Sequence, residues 1–409
     1  MTLLAPIFNA TVESPTVPLT SQNILEVIGG EATSSGKKVT EQGVLGLPAV
    51  WRAVNVIAGS CASLPLHAYK PKGDTRVRAS APLLDEPHPD LTPFEFWETT
   101  YAHIALWGNA YLRVLRNELG QVSELWHIHP GRVRVGRTSE TGEKVYAIDG
   151  GKEVLRDFNP KKPVQAATML HIAGFGYDGV CGVSPIRAAR QGLGLAMAAE
   201  EYGAKLFGSG SLATGVLQSE QRLSQEQADA IQARWKAKRT GLTSAHEVIV
   251  LDSGAKFHQL SIPPADAQFL ESRRFQIAEI ARMFGVPSHM LMDTERSTSW
   301  GTGIEQQSIG FVVYTLRPWL TRVEQRVSRL VRPHAAYARY AVEGLLRGDS
   351  AQRAAFYKAM WEIGVYNTNE IRALEERSPV DEGNTRYRPL NMGELGSTDS
   401  VSNQEASNV

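Results

Sequence analysis

The chain has 409 residues, enough for two to four domains at roughly 100–200 residues each, and its 42% hydrophobic and 21% charged residues exclude a wholly disordered polypeptide. Lys plus Arg and Asp plus Glu each number 43, and this zero net charge argues against a sequence-specific DNA-binding protein with the usual basic excess. Cys61 and Cys181 are too few for a disulfide framework or a cysteine zinc site. Without a signal-peptide pattern or an apolar run of about 18 residues, we expect a cytoplasmic, soluble chain that does not enter membranes.

Both ends of the chain differ from its middle. Residues 1–38 are rich in Ser, Thr and Pro, and residues 391–409 are polar with few charges. Such segments bury too little apolar surface to offset the entropy cost of ordering. We therefore predict a disordered N-terminal arm and a disordered C-terminal tail.

Residues 39–183 predict an α+β domain. Apolar residues at helical spacing run from Val50 to Cys61, and Pro65 ends that helix. Pro93 stands in the first turn of a second helix. Alternating apolar residues between turn signals predict strands at 64–70, 109–117, 122–128, 132–136, 144–148 and 168–172.

Residues 184–210 predict a helix that Ser184 caps and Pro185 begins. Its interior glycines each cost roughly 1 kcal/mol relative to alanine, so their number suggests close backbone approach on more than one face. One domain cannot cover all of those faces, whereas a head-to-tail ring of identical subunits can. The candidate subunit-packing residues are Gly192, Ala196, Ala199 and Gly203.

The remaining elements follow in order. Residues 211–263 predict a small α/β insert, and residues 264–286 predict a second long helix. Residues 287–303 predict a loop rich in Ser, Thr and Gly, followed at 304–332 by a long helix kinked at Pro318. Residues 333–390 predict a strand and two short helices, the second of them capped by Asn367 or Thr368.

The catalytic and metal motifs that we tested are incomplete. Residues 30–38 lack the spacing of a phosphate loop, and the GVSPI segment at 182–186 lacks the glycine of a nucleophile elbow, which favours a capping role for Ser184. His127 and His129 have no third ligand at metal-site spacing. The sequence therefore predicts neither a catalytic site nor a metal or cofactor.

Several blocks of the sequence resemble one protein family. They are NVIAGSCASLPLHAY (55–69), TPFEFWETTYAHIALWGNAYL (92–112), GVSPIRAAR (182–190), AQFLESRRFQIAEIARMFGVPSHML (267–291), IEQQSIGFVVYTLRPWL (304–320) and NEIRALEE (369–376). In this order they are similar to the portal proteins of tailed bacteriophages, in the HK97-like family. The resemblance runs from about Val44 to Val380.

The resemblance implies a portal fold that assembles as a ring, with twelve subunits in the virion. Residues 39–183 would be an α/β wing, and the helices of 184–210 and 264–286 would form a two-helix stem. The insert 211–263 would be the clip and 287–303 the tunnel loop. The helix of 304–332 would be the long kinked helix above that loop, and 333–390 would hold a wing strand and the helical crown.

The same resemblance implies partners and candidate contact residues. Double-stranded DNA would pass through the channel without sequence specificity, facing tunnel-loop residues Arg296, Ser297, Thr298, Ser299, Trp300 and Thr302. The terminase large subunit and the head–tail adaptor would dock on clip residues Gln227, Ile231, Arg234 and Trp235. The major capsid protein, with a scaffold as a further candidate, would surround the ring at one vertex of the virion.

Two other hypotheses remain open from the residues alone. The chain could form a ring or scaffold unrelated to DNA, which would show no duplex in its channel. It could also be an uncharacterised hydrolase, which would require a pocket converging on His127, His129 or Ser184.

Overall fold

The computed structural model describes residues 33–73, 75–138, 141–149, 164–208, 215–218, 225–226, 229, 256–259, 265–292, 302–332, 335, 337–342, 350–375 and 377–386. The chain divides into two compact units, Met1–Ala341 and Val342–Val409. The larger unit contains every strand of the described residues and all but two of their helices.

The elements are numbered here in chain order. The helices are α1 (Pro48–Ala62), α2 (Pro82–Asp85), α3 (Pro93–Trp107), α4 (Pro185–Ala188), α5 (Arg190–Gly208), α6 (Ala265–Phe284), α7 (Thr302–Gly310), α8 (Arg317–Val327), α9 (Ser350–Glu362) and α10 (Thr368–Leu374). The strands are β1 (Leu66–Lys72), β2 (Thr75–Ala79), β3 (Asn109–Arg116), β4 (Val122–Ile128), β5 (Val133–Arg137), β6 (Lys144–Ile148), β7 (Val164–Gln165), β8 (Met169–Ala173), β9 (Gly215–Gln218), β10 (Lys256–Gln259) and β11 (Tyr337–Tyr340).

Residues 39–183 form the predicted α+β arrangement. Helices α1 and α3 pack against each other around buried side chains such as Ile57 and Tyr101. Thr92 accepts a hydrogen bond from the backbone N–H of Glu95, whose carboxylate accepts one from the N–H of Thr92, and this capping box fixes the start of α3. Gly108, at φ 71°, ends the helix in the left-handed conformation that glycine adopts without strain.

Three antiparallel sheets accompany the helical pair, and strand β3 packs against α3. Their strand orders are β11-β1-β2, β4-β3-β8 and β5-β6-β7. In the central sheet β3 pairs Tyr111 with Ile128 of β4 and with His171 of β8. The side chains that join the second and third sheets form one buried cluster: Tyr111, Ile128, Val133, Val135, Tyr146, Ile148, Val164, Met169 and Cys181. The two cysteines are free and buried, because Cys61 lies inside α1 and Cys181 in this cluster.

The predicted small-residue helix is two helices. Ser184 caps α4 by accepting a hydrogen bond from the N–H of Arg187, as expected, but α4 ends at Ala188 and α5 begins at Arg190. Ala189 lies between them with φ −95° and ψ 14°, outside the helical region. The expectation of one uninterrupted helix was therefore wrong at this residue.

The end of the predicted disordered arm is ordered. Thr33 is buried, and both its N–H and its hydroxyl donate to the carbonyl of Lys37, which closes a turn. This turn packs on α5, where a Cβ atom at Gly194 would approach within 2.6 Å of the Thr33 hydroxyl. Lys37 forms an ion pair with Glu201 of the same helix. The disordered arm was expected to extend to residue 38, but residues 33–37 form this turn. They can pack on α5 because Gly194 has no side chain that would collide with Thr33.

The predicted long kinked helix contains a π-helical turn. Helix α7 begins at Thr302, so this residue belongs to a helix and not to the loop that the sequence predicted. Residues Phe311–Leu316 form the π-turn, in which the N–H of Arg317 donates to the carbonyl of Val312. The irregularity precedes Pro318, which has no N–H to donate to the preceding turn. Helix α8 then ends at Val327, five residues before the predicted end.

The smaller unit contains α9 and α10, the two short helices that the sequence predicted within residues 333–390. Asn367 caps α10 through a capping box with Glu370, which decides between the two residues that the sequence offered. The side chain of Tyr357 on α9 donates to the carboxylate of Glu375, 2.6 Å away, just after α10. No helix of the described residues is long and apolar enough to span a lipid bilayer.

Candidate functional site

An open apolar groove lies between α4–α5, α6 and the segment formed by the π-turn and α8. Its volume is about 900 Å3. Tyr314 in the π-turn is 82% exposed, Phe275 on α6 is 60% exposed and Leu195 on α5 is 57% exposed. Phe175 and Trp319 line the same groove. Several large apolar side chains that line this groove are thus exposed to solvent in the single chain.

Such a groove is costly to leave in water. Burial of apolar surface contributes about 25 cal/mol per Å2, and contiguous exposed apolar patches commonly mark sites of protein association. Charged groups also line it, among them Glu279, Arg282 and Arg322. Apolar surface together with charged groups is typical of a protein–protein interface, which has an apolar core and a polar rim.

The predicted subunit-packing residues divide between the groove and the interior. Gly192 is exposed and lines the groove, where a Cβ atom would meet no neighbour. Ala196 lines the groove but is buried within its own chain. Ala199 is half-buried, and Gly203 is buried. Ala196 and Gly203 are therefore packed inside their own chain, while Gly192 faces open space.

Most of the other predicted contact residues lie outside the described residues. These are Gln227, Ile231, Arg234, Trp235, Arg296, Ser297, Thr298, Ser299 and Trp300. Thr302 is the first residue of α7, as noted above. Of the predicted insert, the structure describes an antiparallel pair of strands, β9 and β10, with Phe257 opposite Leu217.

The histidines that could have suggested a metal form part of an aromatic cluster. The ring centroid of His103, on α3, lies 5.6 Å from that of His127 and 6.0 Å from that of His129. His127 Nε2 is hydrogen-bonded to the Thr100 hydroxyl at 2.9 Å. Within the part of the chain that the structure describes, no three His, Cys, Asp or Glu side chains are arranged to hold a metal ion. The sequence patterns did not single out His103, because its helical position reads as ordinary core.

Burial controls the protonation of this cluster. Burial, with smaller contributions from neighbouring His127 and His129, lowers the pKa of His103 to about 3. Burial likewise lowers the pKa of His127 to about 4, with a smaller contribution from His88. Both imidazoles are therefore neutral at neutral pH, and they fill space between α3 and β4.

Ser184 has a structural role. Its hydroxyl donates to the carbonyl of Leu106 at 2.8 Å and contacts the carboxylate of Glu41 at 3.2 Å. It also accepts the hydrogen bond from the N–H of Arg187 that caps α4. These contacts occupy the oxygen that a nucleophile would need free.

Asn109 joins the central sheet to the segment that leads into α4. Its side-chain oxygen accepts from the N–H of Gly182 at 2.7 Å and from Nε2 of His171 at 2.9 Å. Its side-chain nitrogen donates to the carbonyls of Gly182 and Trp107, at 2.8 and 3.1 Å. A Cβ atom on Gly182 would lie 2.1 Å from the carbonyl oxygen of Gly108, so the two backbones touch beside this amide.

The site thus consists of an open apolar groove, a helix-capping serine and two neutral, buried histidines. The family model "Phage portal protein" matches residues 48–376, and the chain belongs to the phage portal protein family. This family consists of structural proteins.

Relatives match over most of the chain. The "Probable portal protein" of Streptomyces phage phiC31 is 35% identical over 384 residues, which covers 90% of this chain and 83% of the relative. The "Portal protein" of Enterobacteria phage HK97 is 34% identical and covers 90% and 87% respectively. These matches confirm the resemblance found in the sequence.

A solved structure supports the fold. A chain in the structure "Neck of native GTA particle computed with C12 symmetry" aligns with a TM-score of 0.58 at 22% identity, over 83% of this chain and 92% of that one. At this level of identity, the similarity supports the α+β fold alone.

Proposed function

We propose that the chain is the portal protein of a phage-type particle and forms a ring of twelve subunits at one capsid vertex. The ring is the channel through which double-stranded DNA enters during packaging, is retained, and leaves during ejection. The protein is part of the virion and joins the head to the tail. The observation that carries this proposal is the open groove between α5, α6 and α8 in a chain that belongs to the portal family.

The ring follows from the groove by a packing argument. A head-to-tail contact fills the groove of each subunit with a different surface of the next one, and the contact closes when the rotation between subunits divides a full turn evenly. The similar GTA neck structure is described as computed with C12 symmetry, and this favours a ring of twelve subunits for the present chain.

Charge supports the passage of DNA without tight binding. Every phosphate held by Lys or Arg adds counterion-release free energy, which would slow a sliding duplex. The chain has 43 basic and 43 acidic residues, so it lacks a general excess of positive charge. The segment before α7 is rich in Ser, Thr and Gly in sequence, and we assign residues 296–300 to the channel surface.

The other segments take the roles expected for a portal protein. Residues 39–183 and strand β11 form the wing, helices α4, α5 and α6 the stem, and residues 211–263 the clip, while helices α9 and α10 form the crown. The clip binds the terminase large subunit during packaging and the head–tail adaptor afterwards, through Gln227, Ile231, Arg234 and Trp235. The major capsid protein surrounds the ring. The chain has no catalytic activity of its own, and the motor hydrolyses the ATP.

Replacing Tyr314 by Ser tests whether the groove is a subunit contact. Tyr314 is 82% exposed, so its loss leaves the fold of the subunit intact but removes an aromatic anchor from the groove. A loss of about 1.4 kcal/mol weakens a single contact tenfold, and the losses accumulate around a ring, so we expect the ring population to fall at least about tenfold. Electron microscopy with counted rotational symmetry, together with light scattering, measures this population.

Leu119→Ser is the matched control, because Leu119 is also 82% exposed but lies in the turn between β3 and β4. Leu119→Ser should assemble as the wild type does. Equal assembly of both variants would show that the groove is not a subunit contact. A wild-type chain that stays monomeric at every concentration would contradict the proposed ring.

Deletion of residues 297–300 tests the channel loop. The deletion ends before α7, which begins at Thr302, so the helix keeps its first turn. We expect rings of normal symmetry that package or retain less DNA, because the defect lies in the channel and not in the subunit. Particles with this deletion that fill and hold DNA at wild-type yield would contradict the assignment.

A further inference from the structure

A row of basic side chains continues from the groove along α8. Arg322 lines the groove, Arg326 follows one helical turn later, and Arg329 stands three positions beyond, just after the helix. Within the described residues none of the three forms an ion pair. By contrast, Arg317 on the same helix is paired with Glu324. We call Arg322, Arg326 and Arg329 the basic row.

Positive charges of other side chains lie close to the half-buried Arg326 of the basic row. Arg326 is half-buried, and partial burial lowers the pKa of its guanidinium, with a further contribution from Arg329. Lys144 of β6 stands nearby: burial lowers the pKa of its ammonium group, and Arg326 lowers it further. The carboxylate that acts on Lys144 is Asp178, and it also accepts hydrogen bonds from the N–H groups of Val180 and Cys181. An anion supplied from outside would relieve this repulsion.

An acidic loop elsewhere in the larger unit carries an excess of negative charge. Asp85, Glu86 and Asp90 are exposed, and none of them forms an ion pair within the described residues. The loop is held in place, because the carbonyl of Pro87 accepts a hydrogen bond from the N–H of Leu125 and the ring of His88 lies 4.2 Å from that of Trp126. We call residues 85–90 the acidic loop.

The acidic loop and the basic row lie at opposite edge strands of one sheet. In the order β4-β3-β8, the loop is attached to β4 through Leu125, and α8 contacts β8. Within one subunit β3 therefore separates the two charged surfaces. A head-to-tail contact joins two different surfaces of neighbouring copies, and opposite edges of a sheet satisfy that requirement.

We propose that the acidic loop of one copy binds the basic row of the next copy in the ring. The proposal rests on the ring assembly proposed above and assigns a pair of surfaces to it. It is supported by the complementary charges, by the lack of ion-pair partners for both surfaces among the described residues, and by the continuity of the row with the apolar groove through Arg322. Complementary charges at the polar rim fix the register of an apolar contact.

Charge exchange tests the pairing. Arg326→Glu, and separately Asp85→Lys with Glu86→Lys, should each reduce the ring population at least about tenfold, because each places like charges together. All three substitutions combined restore opposite charges and should recover most of the rings. The loop substitutions lie on an exposed segment, so they test the contact even if Arg326→Glu affects folding. Counted symmetry in electron micrographs and sedimentation velocity measure the rings.

Lys70→Glu is the matched control, since it makes the same change of charge at an exposed position of β1. It should form rings like those of the wild type. Wild-type protein without rings would overturn the assembly itself. Normal rings from Arg326→Glu, or failure of the triple variant to recover rings that the loop variant had lost, would overturn this pairing and leave the ring in place.

Discussion

Replacing Asn109 by Leu is expected to lower the free energy of unfolding of the larger unit on the order of 4 kcal/mol. Leucine has a similar volume but leaves the N–H and carbonyl of Gly182, the carbonyl of Trp107 and the Nε2 of His171 without their partner. Each buried polar group left unsatisfied costs about 1–3 kcal/mol, and local relaxation recovers part of the sum. Urea unfolding followed by tryptophan fluorescence measures the change.

Asn55→Leu provides the control for this measurement. Asn55 lies exposed on α1 and donates one hydrogen bond, to the carbonyl of Trp51. Surface substitutions of this kind usually change stability by less than about 0.5 kcal/mol. If Asn109→Leu unfolded at the same urea concentration as Asn55→Leu, the amide would not be the link between the central sheet and the segment before α4.

Acid is expected to destabilise the protein through His103 and His127. Their folded pKa values are about 3 and about 4, whereas an unfolded histidine titrates near pH 6.5. Between these values the unfolded chain binds protons that the folded chain does not, so stability falls as the pH falls below about 6.5. At pH 5 the expected loss is about 2 kcal/mol for each histidine.

Thermal unfolding at pH 7 and at pH 5 tests this expectation. His103→Phe keeps an aromatic ring against Trp107 but cannot bind a proton, so its melting temperature should fall less than that of the wild type between the two pH values. His289→Phe, outside the cluster, should retain the wild-type dependence on pH. An unchanged slope in His103→Phe would show that this imidazole does not contribute to acid sensitivity.

Local signals in the sequence were sufficient for most helices and strands. Proline at the first helical turn placed the start of α3, and alternating apolar residues placed β3 and β4 within a residue of their observed bounds. The cap at Ser184 followed from the same kind of local evidence. Each of these features depends on neighbours in sequence, and this is why a reading of the chain could find them.

Features that depend on distant residues could not be predicted. The order of Thr33 depends on the missing side chain at Gly194, more than 150 positions away. The groove appears only when α5, α6 and α8 come together, although the small residues of α5 had indicated close packing. Likewise, the sequence predicted Asn109 only as the first residue of a strand, and its contact with Gly182 depends on a segment 73 positions away.

The two buried cysteines make the chain well suited to quantitative labelling. Cys61 and Cys181 are the only thiols, and burial raises the pKa of the Cys61 thiol, so it remains protonated and unreactive. A cysteine introduced at the exposed position Leu119 would then be the single reactive thiol of each subunit. With one fluorophore per subunit, the number of photobleaching steps from one particle counts its subunits directly, without any averaging or imposed symmetry.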